Sequence, residues 1–144
     1  MPVKQNRSIP SATVIPVLVY PDVREAVAWL TDAFGFVERI RIGESHRSQM
    51  KIGEDGAVII GDVRHDRVAP EQGRATHQIK VRVDDVNAHF EHAKARGATI
   101  LMEPTDWEYG QREYTVADPW GHQWEFTETL ADVDPADWGG DLLA

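Results

Sequence analysis

The sequence predicts an α+β protein made of two tandem βαβββ modules. Three observations carry that reading: one order of elements that occurs twice, two helix-length stretches bounded by capping residues, and short β-branched runs set apart by turn residues. In a chain of 144 residues the expected layout is an N-terminal arm over 1–12, a first module over 13–63 and a linker over 64–76. A second module over 77–128 and an acidic C-terminal tail over 129–144 complete it, within the size of one structural domain.

The first module opens with the apolar run Thr13–Tyr20, read as a buried strand whose Pro16 fits an edge or a bulge. A helix follows over 22–35. Asp22 caps it, Glu25 stands three residues on as in a capping box, and Gly35 stops it. Val23, Ala26, Val27, Leu30 and Phe34 form its buried stripe. Strands are expected at Phe36–Ile42, His46–Ile52 and Ala57–Asp62, with Asp55-Gly56 as a tight turn between the last two. The polar stretch Arg64–Thr76, with Pro70 and Gly73, reads as the linker.

The second module repeats the order at a period of about 60 residues. In His77–Val83, Ile79, Val81 and Val83 share one face, and Gln78, Lys80 and Arg82 the other. A helix over 84–97 is capped by Asp84 or Asp85 and ended by Gly97. Strands fit Ala98–Met102, Gln111–Ala117 and His122–Thr127, the last two joined by the turn Asp118-Pro119-Trp120-Gly121. The tail either lies over the surface, pinned by Trp138, or frays.

Bulk numbers narrow the function. Hydrophobic residues make up 42% and charged residues 27%, ordinary for a globular protein, and the formal net charge is -9. That charge repels phosphate backbones and anionic membranes, so nucleic acid and membrane are not expected partners. With no cysteine, disulfides and thiolate chemistry are excluded. The polar start and the lack of a long apolar run predict a cytoplasmic location.

The segments LVYPDVREAVAWLTDAFGF, HQIKVRVDDVNAHFEHAKARGA and YGQREYTVADPWGHQWEF together resemble the glyoxalase/bleomycin-resistance superfamily, the vicinal oxygen chelate proteins, over roughly residues 13–128. Most specific is the last segment, where Asp-Pro-x-Gly-His leads into an apolar-Glu-apolar strand. The resemblance implies paired modules whose curved mixed sheet lines a cleft, often completed by homodimerisation. In the family's metalloenzymes four side chains, His, Gln or Glu, one from each of four strands, hold a divalent ion that chelates two substrate oxygens.

Carried over position by position, the four places fall on Ile15, Ile60, Gln78 and Glu125. Two are aliphatic and one is a weak donor, a set that does not hold a hard cation firmly, so no metal cofactor is expected. The alternative is a divalent ion on Gln78 and Glu125. The expected ligand-binding residues are Ile15, Val17 and Ile60 as an apolar wall, Gln78, Lys80 and Glu125 as polar anchors, and Tyr114 as a stacking aromatic. Glu125 is either an anchor, a metal-free general base, or a carboxylate merely paired with Lys80. Trp107 and Tyr109, like Tyr114, either stack a flat ligand or close a core or a dimer interface. His89 and His92, three apart on the second helix, form a chance pair rather than a metal site, and His122 bonds its own turn. The expected function is binding of a small amphipathic or aromatic molecule in a metal-free cleft, with drug sequestration as a role by analogy. The alternative is a metal-dependent or Glu-based lyase, isomerase or dioxygenase of the same superfamily.

Overall fold

A computed structural model describes residues 3–144; Met1 and Pro2, at the start of the expected arm, lie outside the described residues. The chain divides into two compact units, one reaching to Glu71 and one beginning at Gln72.

In the first unit, strand β1 (Val17–Val19) leads into helix α1 (Val23–Phe34) and then strands β2 (Val37–Ile42), β3 (Arg47–Ile52) and β4 (Gly56–Gly61). The Asp22 carboxylate accepts from the Glu25 amide, and Gly35 at φ 78° ends the helix. That left-handed conformation is open to glycine at little cost, and it frees the Gly35 amide to bond back to the last turn. Val23, Ala26, Val27, Leu30, Ala33 and Phe34 are buried along one stripe. The sheet order is β1-β4-β3-β2, with β1 parallel to β4 and the other pairs antiparallel. Pro16 precedes β1, an edge strand, so its missing N–H leaves no gap in the ladder.

The second unit repeats this plan with β5 (Ile79–Arg82), α2 (Val86–Ala95), β6 (Thr99–Trp107), β7 (Gln111–Ala117) and β8 (Gln123–Thr129), in the order β5-β8-β7-β6. Asp85, rather than Asp84, caps α2 by accepting from the Ala88 amide. Strand β6 runs five residues beyond the expected Met102, through Pro104. It survives because β6 is an edge strand and its pairing with β7 slips between Met102 and Thr105, where the proline needs no partner. Trp124, Phe126, Tyr114 and Val116 form the core beneath α2, with His89 of the helix 3.9 Å from the Phe126 ring.

The tandem βαβββ plan and the mixed sheets stand, but the curved, cleft-lining sheet does not form. Each unit carries its own open four-stranded sheet, neither curled nor closed. Closure needs the outermost strands to pair with each other, and here β1 and β2, like β5 and β6, remain edges.

The tail is ordered against the second unit. The Leu130 amide bonds the Gly110 carbonyl, and a 3-10 turn (Pro135–Trp138) brings Trp138 to 5.5 Å from the Tyr109 ring.

Candidate functional site

Strand register fixes which side chains of the second unit share a face. Lys80 pairs with Glu125 and Glu125 with Thr115, while Arg82 pairs with Thr127 and Thr127 with Glu113. Alternation sends all of these to the side opposite Trp124 and Phe126, away from α2. Trp107 and Gln111, paired at the far end of β6 and β7, belong to the same side.

At its centre the Lys80 ammonium lies between two carboxylates, 2.9 Å from Glu125 Oε1 and 3.3 Å from Glu113 Oε2. Glu113 is 3% exposed and Glu125 13%, whereas the Lys80 side chain is 54% exposed and reaches outward. The remaining carboxylate oxygens are also held. Tyr109 donates to Glu113 Oε1 at 2.7 Å, and Thr115 donates to Glu125 Oε2 at 3.2 Å. The hydrogen bond to Glu125 raises the Lys80 pKa against the opposing effect of burial. Burial, reinforced by the bond to Glu113, pushes the Tyr109 phenol up to about 12, so it stays a donor at neutral pH. An ammonium has three donors and two are directed at carboxylates, which leaves one for the acceptor of a ligand.

Aromatic side chains border this cluster. Trp107 lies parallel to Tyr109, with an angle of 2° between ring planes and 6.1 Å between centroids, and is 40% exposed.

The structure thus brings together Lys80 and Glu125 among the expected residues. Gln78 is exposed, one residue before β5. Tyr114 stands on the other face, fully buried under α2, with its hydroxyl 2.5 Å from His89 Nδ1. That bond and the Phe126 ring turn His89 toward the core. In the first unit Val17 is aligned with Ile59, and fully buried Ile60 with Leu18 and Ser48. Ser48 bonds Glu38, which is tied to Arg24 of α1, so Ile60 faces the helix and Ile59 occupies the place that corresponds to Glu125. Glu113 is the residue that sequence reasoning missed. Its signal was available: in QREYTVA it alternates with Tyr114 and so shares a face with Gln111 and Thr115.

Do these residues fit a divalent ion? Ile15 and Ile59 have no donor atom, and the space between Glu113 and Glu125 is filled by an ammonium that would repel a cation. Among the described residues no group of three or more His, Cys, Asp or Glu side chains is placed to hold a metal ion. The donor set does not fit one.

Residues 12–126, most of the chain, match the Glyoxalase/Bleomycin resistance protein/Dioxygenase superfamily. The chain belongs to this superfamily. Its fold is similar to that of TioX from Micromonospora sp. ML1, at 34% identity and a TM-score of 0.69, over 83% of this chain and 100% of TioX. A glyoxalase/bleomycin resistance protein/dioxygenase from Nocardioides shares the fold at 19% identity and a TM-score of 0.70, over 99% of this chain and 93% of its own. An uncharacterised protein of Mycobacterium bovis is 28% identical over 128 residues, 83% of this chain and 84% of its own length. Among the described residues no helix is long and apolar enough to cross a membrane.

Proposed function

We propose that this superfamily member binds a small aromatic or amphipathic molecule without a metal, on the polar face of the second unit. Lys80, steadied by Glu125 and Glu113, donates to a carbonyl or carboxylate of the ligand, while the exposed ring of Trp107 packs against its flat part. One observation carries this reading: the half-exposed ammonium stands where a cation would sit, between the buried Glu113 and the part-buried Glu125 carboxylates. Sequestration of a drug-like molecule is the role that fits binding without chemistry. Action of Glu125 as a base would require one of its oxygens to be released, since both are engaged, by Lys80 and by Thr115. A cytoplasmic homodimer is the expected setting, and Ile15 and Val17 supply apolar surface on the first unit.

The test is a thermal-shift screen of planar aromatic molecules bearing a carbonyl or carboxylate, each matched with an analogue that lacks it. Hits are expected to raise the Tm of the wild type and quench its tryptophan fluorescence. Glu125→Gln is expected to weaken their binding about tenfold, because Lys80 loses a charged anchor. Equal shifts in wild type and variant would remove the face from consideration.

A further inference from the structure

The N-terminal arm builds a second site in the first unit, on the side of the sheet away from α1. Gln49 neighbours Ser48 in β3 and therefore points to the opposite face. Its amide donates to the Ser8 carbonyl at 2.8 Å, and Arg39 donates to Gln49 Oε1 at 2.6 Å and to the Arg7 carbonyl at 2.5 Å. The arm also turns on itself, the Ser8 amide bonding Asn6 Oδ1 at 3.0 Å, and Pro10 is buried. Two side chains of the sheet thus clamp the arm backbone and make it a wall.

The arm, with residues between 3 and 15, and Arg39 of β2 line an open cavity of about 650 Å³, within the range that holds small organic ligands. Its lining is one-sided in charge. Lys4, Arg7 and Arg39 are all present and no acidic side chain is, in a chain whose formal net charge is -9. Among the described residues none of the three forms an ion pair with a carboxylate; Arg39 also lines a smaller adjoining cavity, which Glu54 and Asp55 share. Val3, Ile9, Pro10 and Ile15 supply an apolar part.

We infer that this cavity binds an amphipathic monoanion, its carboxylate or sulfonate on Arg39, Arg7 and Lys4 and its apolar body along Ile9, Pro10 and Ile15. Three exposed cations on one concave surface attract an anionic head and hold it through charge-assisted hydrogen bonds. The inference is independent of the reading for the second unit and involves none of its residues.

Calorimetric titration of the full chain with decanoate and, separately, with decylamine below their micelle concentrations tests it, since the two differ in the charge of the head. Decanoate is expected to bind at one site per chain and decylamine at least about tenfold more weakly. Arg39→Gln is expected to weaken decanoate binding about tenfold. Because Arg39 also holds the arm, Arg7→Gln serves as a second variant: it removes a charge and keeps the main-chain carbonyl that Arg39 bonds, with a loss of about threefold expected. Equal affinity for the two probes, or decanoate binding unchanged in both variants, would overturn the proposal.

Discussion

Asp118→Ala is expected to destabilise the protein by about 3 to 5 kcal/mol, the largest single effect in this structure. Asp118 is fully buried. One carboxylate oxygen accepts from the Trp120 and His122 amides at 3.1 and 3.0 Å, and the other from the Trp124 indole at 3.2 Å. Bonds to a charged acceptor contribute more than neutral ones, and alanine withdraws all three at once. Asp118→Asn keeps the shape and one oxygen, so a loss of about 1 to 2 kcal/mol is expected there. Urea unfolding of both variants measures this; losses below about 1 kcal/mol in each would mean that the turn is held by packing alone. The turn Asp118-Pro119-Trp120-Gly121-His122 is therefore a folding device. It aims β8, and with it Glu125, at the polar face.

Glu38→Gln is expected to cost about 2 to 3 kcal/mol at neutral pH, with a defined dependence on acidity. Arg24 grips the Glu38 carboxylate with two bonds, at 2.7 and 3.2 Å, while Ser48 and Arg41 add a third and a fourth. The Arg24 bond is the main reason the Glu38 pKa falls from 4.5 to about 2, against the opposing effect of burial. The side chain is 20% exposed, so screening trims the effect only partly. A carboxylate whose pKa is lower in the folded state than in the unfolded one stabilises fully above the unfolded value. That contribution is lost as pH falls from about 4.5 through about 2. The gap in urea midpoint between wild type and variant is therefore expected to be steady from pH 7 to pH 5, to fall below half by about pH 3 and to close near 2. A gap unchanged at pH 3 would place the stabilisation in packing of the glutamate stem instead of its charge.

The legibility of this molecule in its sequence varied with how local each feature is. The Asp22 and Gly35 caps and the stripe of α1 follow from residues within a few positions of each other, and they could be read directly. So could the facing of Lys80, because HQIKVRV alternates between apolar and polar residues. The run AVIIG does not alternate, and only the pairing of Val17 with Ile59 shows that Ile60 looks to the helix. Curvature of the sheet has no local signature at all, since it depends on whether edge strands meet. Extension of β6 past Pro104 was hidden for a related reason: a proline ends a strand unless it falls at an edge with a slip in register, and that is a property of the partner strand. The candidate site divided the same way. Glu125 announced itself as a charge between two aromatics, while Glu113 acquires meaning only once β7 is laid beside β8 and Lys80 reaches across both.

Equilibrium dialysis of the wild-type protein against manganese(II) tests most directly whether the Lys80 ammonium has taken the place of a metal. No stoichiometric ion is expected at micromolar free metal, in wild type and in Glu125→Gln alike. One ion retained per wild-type chain and lost in Glu125→Gln would contradict it.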